Sequence, residues 1–311
     1  MITGDNIPKT EYITENIFHA HAYRSMDTLR NAPALWQHLL RAPSLDANKY
    51  SRGFAFILGG EFMTGASALA ARAAQRVGAG LVTLTCPKGA ADVYRILNPS
   101  SVTLGFRDTL AYKEQIADQR IHAYLVGPGL GDGPANIERI MAMIRLGKPI
   151  VIDADALTIL AATRENFFNL LEQHYETESR RNVLLTPHRG EFNKLFPEYS
   201  DFPAGKAASA AAELTGTTIL LKGHDSYIAS NTKAPCLNAD APTWLATAGS
   251  GDVLSGLCLG LLAQGFSAYT SACIATALQA KAASMIGSGL VAEDLNDVMP
   301  KVLATLINQG K

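Results

Sequence analysis

Residues 246–256, ATAGSGDVLSG, place a glycine-rich turn directly ahead of an apolar helical pattern. The free amides at a helix N-terminus and the helix dipole favour a bound anion such as phosphate. Asp252 follows that turn and can accept a proton from a hydroxyl group beside the phosphate. An aspartate in this position can equally serve as the helix N-cap. The residues alone therefore leave two interpretations of Asp252 open, a general base and a structural cap.

Glycine or polar clusters also follow five of the predicted strands. In an open parallel α/β sheet the ligand binds beyond the carboxyl ends of the strands. One such turn has little weight by itself, but five in one chain together predict a ligand site. The clusters lie at residues 59–60, 127–131, 153–155, 186–188 and 222–223.

The elements that position these clusters are apolar runs alternating with helical patterns after Arg52. This alternation predicts an α/β fold in which helices cover both faces of a mostly parallel sheet. We predict strands at 54–58, 81–85, 123–126, 149–152, 183–185 and 218–221, and helices at 66–77, 135–146 and 204–214. The chain after Gly251 is predicted to be mostly helical. No long linker or repeat interrupts the pattern, so we expect one domain at 48–311 behind a lead-in at 1–47.

The composition argues against several classes of protein. With 27 basic and 28 acidic residues among 311 and no long Lys/Arg run, the chain is not expected to bind nucleic acid. Its four cysteines are scattered, which indicates reduced thiols rather than a zinc site or disulfides. The N-terminus lacks the apolar core of a secretory signal, so we expect a cytoplasmic protein.

Residues 253–280 contain no charged side chain, and this length would suffice to span a bilayer. Glycines and hydroxyl side chains interrupt the stretch, and Gly265 lies where one helix can end and another begin. We therefore predict two buried helices and no membrane segment.

Taken in order, the motifs resemble those of the NAD(P)H-hydrate dehydratases, a branch of the ribokinase superfamily. The turn GSGD resembles the anion-hole and catalytic-aspartate motif of that superfamily. The similarity runs from about residue 48 to about 306. The matching segments are NKYSRG at 48–53, GG at 59–60, GA at 65–66, AGLVT at 79–83, VGPGLG at 126–131, DADAL at 153–157, TPHRGEF at 186–192, KGHD at 222–225, LATAGSGDVLSG at 245–256 and GLVAEDL at 289–295.

The resemblance implies a ribokinase-like fold and a repair reaction on hydrated NADH or NADPH (NADHX or NADPHX). In that reaction Asp252 deprotonates the hydroxyl of the S epimer, which attacks the terminal phosphate of ADP or ATP. The amides of Gly249, Ser250 and Gly251 stabilise the transferred group, and phosphate is then eliminated. Mg²⁺ is expected on the nucleotide phosphates; its protein ligands are unknown from the sequence.

The resemblance also implies binding residues. The hydrate is expected at Ala66, Gly129, His188 and Asp252, and the nucleotide at Lys222, Gly223, His224, Asp225, Ser226 and Gly251. Each position has a local alternative, such as helix packing at Ala66, turn geometry at Gly129, loop hydrogen bonding at His188 and a solvated strand end at Lys222. Asp153 and Asp155 form either a metal-adjacent pair or, for one of them, a helix cap.

Three departures from the family pattern occur. Asn48 replaces a common histidine, Gln279 and Ser284 fall where the family often reads HxxxxD, and residues 241–244 replace a glycine-containing segment. We expect them to affect contacts at the rim of the substrate site and to leave the GSGD turn intact.

Two alternatives to the dehydratase remain. One is a small-alcohol kinase of the same fold, and the other is a nucleotide-binding regulator without catalysis. Many bacterial relatives carry a fused epimerase domain, for which the roughly fifty residues before the match are too few. We therefore expect no epimerase activity, and by resemblance a homo-oligomer, specifically a tetramer.

Overall fold

The computed structural model describes residues 28–173 and 182–307, and ten strands within them form one sheet. The predictions for residues 1–27 lie outside the described residues. The sheet order is β1-β10-β9-β8-β7-β6-β5-β2-β3-β4. The strands are β1 (Leu29–Arg30), β2 (Phe54–Leu58), β3 (Leu81–Pro87), β4 (Val102–Phe106), β5 (Ala123–Val126), β6 (Ile150–Ile152), β7 (Val183–Leu185), β8 (Thr218–Leu221), β9 (Ser226–Ser230) and β10 (Lys233–Asn238).

Eleven α-helices lie within the described residues and cover both faces of the sheet. One face carries α1, α2, α9, α10 and α11, and the other carries α3 to α8. The helices are α1 (Thr64–Arg76), α2 (Ala91–Leu97), α3 (Thr109–Ile116), α4 (Ala135–Ile144), α5 (Ala154–Ala162), α6 (Arg164–Gln173), α7 (Arg189–Leu195), α8 (Ala204–Thr215), α9 (Ser250–Ala263), α10 (Ala268–Ile286) and α11 (Ala292–Ile307).

The order of the strands reverses between β2 and β5. From β2 the chain proceeds to β3 and β4 on one side, then crosses to β5 on the other side of β2 and continues to β8. All of these neighbouring strands are parallel, whereas β9 pairs antiparallel with β8 and β10. Such a reversal leaves a crevice at the carboxyl ends of the two central strands.

Strand β2 shows why the central strands read as continuous apolar runs. Ala55 and Ile57 belong to the core beneath α1 and α9, whereas Phe56 and Leu58 belong to the core on the opposite face. Both faces of a helix-covered parallel sheet are buried, so every residue along the strand is apolar.

The uncharged stretch predicted to form two buried helices does so as α9 and α10, separated near Gly265. Helix α9 packs closely on α1 because it carries glycines four residues apart. A Cβ atom at Gly256 would lie 2.2 Å from the Ala70 carbonyl oxygen, and one at Gly260 would lie 2.4 Å from Val77 Cγ1. Within the described residues, no helix is both long and apolar enough to cross a membrane.

The fold class and the six predicted strands are confirmed, with ends shifted by one or two residues at β3 and β6. The sequence pattern does not predict β1, β4, β9 and β10. The described part of the lead-in contributes β1, which pairs with β10, and Trp36, which is 2% exposed in the core. Cys86, Cys236, Cys258 and Cys273 are free and buried, as expected.

Candidate active site

Two glycine-rich turns meet at the crevice between β2 and β5. A Cβ atom at Gly60 would lie 1.8 Å from the carbonyl oxygen of Gly129, so only glycine allows this approach. The Ser67 hydroxyl donates to Pro128 O at 2.6 Å and connects the GPGLG turn at 127–131 to α1. Gly129 has a φ of +63°, and a Cβ atom on it would lie 3.1 Å from Ala66 Cβ. The structure thus brings together two of the residues expected to contact the hydrate.

The GSGD turn starts α9 near the ends of β5 and β6. Gly249 is the N-cap, with a left-handed φ of +86°. The Val253 amide makes the first intrahelical bond, to Gly249 O at 3.0 Å. The amides of Gly251 and Asp252 precede it and have no intrahelical acceptor, so they can bind an anion.

Asp252 therefore lies in the first helical turn and is not the N-cap. The structural-cap interpretation of this residue is wrong, because a left-handed glycine occupies the cap position. Its role as a base stays a proposal. The side chain is half-buried, and burial is the main cause that raises its pKa from 3.8 to about 6. The charges of Asp153 and Asp155 raise this pKa further, whereas Lys222 lowers it.

Lys222 follows β8 and forms an ion pair with Asp153. Its Nζ atom lies 2.7 Å from Asp153 Oδ1, and the aspartate side chain is 1% exposed. Burial lowers the pKa of Lys222, but Asp153, Glu191 and Asp252 outweigh it and the net shift is upward. The lysine is thus a fixed cation. A Cβ atom at Gly251 would lie 3.7 Å from its Nζ, so the ammonium adjoins the GSGD turn.

The two aspartates after β6 have different partners. Asp153 caps α5, since its Oδ1 also accepts from the Ala154 amide at 2.9 Å. Asp155 Oδ2 accepts from the amide of Gly131 at 2.8 Å and so holds the end of the GPGLG turn. Ala154 between them has a φ of +47°, a conformation that strains a residue with a Cβ atom.

His188 lies beside Lys222, because the two residues form a parallel bridge that extends β7 and β8. His188 caps α7: its Nδ1 accepts from the Glu191 amide at 3.1 Å, and Glu191 Oε2 accepts from the His188 amide at 2.8 Å. The expected local hydrogen bonding is present, yet the His188 side chain stays 60% exposed and accessible to a ligand.

Residues 222–226 form the turn between β8 and β9. The Ser226 hydroxyl closes it by accepting from the Gly223 amide at 3.3 Å and donating to Gly223 O at 3.1 Å. His224 and Asp225 are exposed at its tip. With Asp240 they form the one group of three potential metal ligands found among the described residues. Arg30 already pairs with Asp240, at 2.7 Å.

The departures from the family pattern have distinct surroundings. Asn48 Oδ1 accepts from the amides of Tyr50 and Ser51 and shapes a local turn. Ser284 is exposed and donates to Ala280 O in its own helix. Gln279 is buried, and its Nε2 donates to Ser250 O at 2.6 Å. Of these three residues, Gln279 thus contacts the GSGD turn itself, which is formed as expected.

The fold is a ribokinase-like α/β domain. Its sheet is mostly parallel with helices on both faces, and the glycine turn with Asp252 lies opposite a lysine at a strand end. A solved structure of a ribokinase-like superfamily protein shares this fold. The chain belongs to the NAD(P)H-hydrate dehydratase family, whose sequence profile matches residues 55–301.

The chain covers two named relatives to different extents. It is 36% identical over 287 residues to the bifunctional NAD(P)H-hydrate repair enzyme Nnr of Salinibacter ruber, covering 86% of this chain and 51% of the relative. It thus spans about half the length of that relative. It is 33% identical over 276 residues to the ADP-dependent (S)-NAD(P)H-hydrate dehydratase of Neisseria meningitidis, covering 87% and 89%.

A solved structure shares the fold. The ADP/ATP-dependent NAD(P)H-hydrate dehydratase of Bacillus subtilis, co-crystallised with ATP and Mg²⁺, superposes with a TM-score of 0.74 at 22% identity. The superposition covers 91% of this chain and all of that chain.

Proposed function

We propose that this chain converts the S epimer of NADHX or NADPHX to NADH or NADPH at the expense of ADP or ATP. The observation that carries the proposal is Asp252 in the first turn of α9, adjacent to Lys222 and with a pKa raised to about 6. A base with a pKa near the working pH is mostly ionised and still accepts a proton readily. Family membership supplies the substrate class.

The chemistry has two steps. In the first, the hydroxyl of the hydrate gives its proton to Asp252, its oxygen bonds to the terminal phosphorus, and the bond from phosphorus to the leaving nucleotide breaks. Of the expected amides, that of Ser250 already donates to Thr247 O at 3.4 Å. The amides of Gly249 and Gly251, together with that of Asp252 and the charge of Lys222, stabilise the transferring group. In the second, the ring loses phosphate and a proton, which restores the carbon–carbon double bond. NADHX and ATP thus give NADH, ADP and phosphate.

The binding residues are assigned by family resemblance and by their positions at the crevice. Ala66, Gly129 and His188 contact the hydrate at the ends of β2, β5 and β7. The nucleotide lies along the turn of residues 222–226 and reaches Gly251, because Lys222 at the start of that turn adjoins the GSGD turn. The exposed His224 and Asp225 lie at the outer end of this path.

The residues fit a magnesium ion on the nucleotide phosphates. Asp153 and Asp155 both raise the pKa of Asp252, so the site carries an excess of negative charge. Mg²⁺ on a nucleotide needs only one or two protein carboxylates. Asp155 is the carboxylate that would hold it, since Asp153 is buried in its ion pair with Lys222. When bound, the ion neutralises charge on the phosphates.

The test is direct. The protein is mixed with NADHX, ADP or ATP, and Mg²⁺, and the absorbance of the reduced nicotinamide is followed. Turnover with nucleotide, and none without it, is expected; equal rates without nucleotide would contradict the proposal. Binding without turnover would indicate the regulator, and a stable phosphorylated product the kinase.

The oligomeric state has a simple measurement. Sedimentation should give the mass of a homo-oligomer, expected as a tetramer.

A further inference from the structure

The first turn of α9 is held by neighbouring elements as well as by its own backbone. A Cβ atom at Gly249 would lie 2.8 Å from Leu69 Cδ1 and 2.9 Å from Ala292 Cβ, so the turn packs closely between α1 and α11. The Ser250 hydroxyl donates to Leu245 O at 2.8 Å and ties the turn to the preceding loop.

One buried side chain reaches this turn from α10. Gln279 is 6% exposed, and its Nε2 donates to the carbonyl oxygen of Ser250 at 2.6 Å. That carbonyl shares a planar trans peptide with the amide of Gly251, so the two groups point in opposite directions. A donor fixed on the Ser250 carbonyl therefore directs the Gly251 amide away from Gln279. The same bond polarises the peptide and strengthens that amide as a donor.

Helix α10 is itself anchored next to Gln279. The Asn31 side-chain amide donates to Cys273 O at 2.7 Å and to Thr276 Oγ1 at 3.2 Å, one turn before Gln279. Trp36 Nε1 in turn donates to Asn31 Oδ1 at 3.0 Å. Gln279, which donates to Ser250 O, thus belongs to a helix that is anchored by Asn31, directly after β1.

We propose that Gln279 is a positioning residue that orients and polarises the Gly251 amide, without touching either substrate. This inference rests on the proposed function, because it requires the Gly251 amide to act on the transferring phosphate. The hydrogen bond from Gln279 to Ser250 fixes the Gly251 amide, which acts mainly in the transition state. Losing this bond should therefore lower kcat more than it weakens substrate affinity.

The test compares two glutamines whose side chains contact opposite ends of α9. Gln279→Met keeps the length of the side chain and removes the donor. Gln264 donates to Gly260 O at 2.8 Å and to Val77 O at 3.2 Å near the last turn of α9, so Gln264→Met is the matched control. Gln279→Asn, which is too short to reach Ser250, replaces the first variant if that variant does not fold.

Two quantities are measured, kcat for the dehydration and the amide resonance of Gly251 in the protein without substrates. Gln279→Met should lower kcat by about 10- to 100-fold, the cost of a misplaced group, with KM for both substrates within about threefold. The Gly251 resonance should move in this variant, and neither quantity should move in Gln264→Met.

A role limited to packing predicts a lower melting temperature with both quantities unchanged, and that result overturns the proposal. If the wild-type protein shows no dehydration, the proposed function fails, and the Gly251 resonance alone decides whether Gln279 positions the turn.

Discussion

The ammonium of Lys222 lies 2.7 Å from the carboxylate of Asp153, and these two charges shift the pKa of Asp252 in opposite directions. Asp153 raises that pKa and Lys222 lowers it, while burial raises it to about 6 overall. The two charges of the ion pair therefore offset each other in part, and burial remains the main cause of the raised pKa of Asp252. Each partner can be removed separately, and the two changes have opposite expected effects.

The first prediction concerns the wild-type protein and Asp153→Asn. Because Asp252 must be ionised to act as a base, kcat/KM should fall as the pH drops through about 6. Asn keeps the cap on α5 but removes the charge that raises this pKa, so the acid limb should move to lower pH. The measurement is kcat/KM against pH, with the decay of the hydrate without enzyme subtracted. An unmoved limb would show that Asp252 is not the titrating group.

The second prediction is the opposite shift in Lys222→Met. Without the cation the pKa of Asp252 rises, and the acid limb should move to higher pH. The change also leaves Asp153 buried without its partner, which should lower the free energy of unfolding by about 3–5 kcal/mol. The double variant Asp153→Asn/Lys222→Met is the control and should regain part of that stability. Shifts of the same sign in both single variants would contradict this account.

The central strands could be predicted because they are buried on both faces. Strand β4 could not, since Val102 is 45% exposed and a half-exposed run of five residues resembles a loop. Strands β9 and β10 form an antiparallel hairpin at one side of the sheet, and Pro235 within β10 argues against a strand.

The candidate site was predictable where the signal is local. Glycines and polar residues at strand ends mark the crevice, because parallel strands end at the same edge of the sheet. The Lys222–Asp153 pair joins residues 69 positions apart and depends on the order of the strands. The contact of Gln279 with Ser250 depends on how α10 packs on α9. The sequence marks Gln279 only as a departure from the family's HxxxxD pattern and does not indicate this contact.

The third prediction compares two glycines of one turn. In Gly129→Ala the new Cβ atom would lie 2.3 Å from Met63 O, so the loop after β2 must move, whereas at Gly131 nothing lies within 4 Å. Both positions have a positive φ, so both variants should lose about 1–2 kcal/mol of stability from backbone strain. Gly129→Ala alone should raise KM for the hydrate, since Ala66 borders the displaced loop.

The measurement for this pair is KM for the hydrate and for ADP, with melting temperatures alongside. Equal KM values for the hydrate in the two alanine variants would remove Gly129 from the substrate site.

The fourth prediction places the chemistry on Asp252. Asn cannot accept the hydroxyl proton at neutral pH, so Asp252→Asn should lower kcat by about 10²–10⁴-fold. The affinity for ADP should change little, because the amides of the GSGD turn remain. Calorimetry with ADP and Mg²⁺ provides the control. A variant that keeps half of the wild-type kcat would exclude Asp252 as the base.

The same substitution should also make the protein more stable at neutral pH. The folded-state pKa of Asp252 is raised from 3.8 to about 6, so between these values the folded state holds a proton that the unfolded state has lost. The free energy of unfolding of the wild type therefore falls as the pH rises through this window. One pKa unit corresponds to about 1.4 kcal/mol, so the carboxylate costs up to about 3 kcal/mol at pH 7.

Asn resembles the protonated carboxyl group and avoids this cost. Asp252→Asn should thus unfold at higher denaturant concentration than the wild type at about pH 7, and the difference should vanish below about pH 4, where the carboxyl group is protonated in both states. Urea titrations of the two proteins at several pH values measure it. Because Gly249, and not Asp252, caps α9, no loss of helix capping offsets the gain. A variant that is less stable than the wild type at neutral pH would mean that Asp252 contributes to the fold, and its raised pKa would then not reflect a base held in place for catalysis.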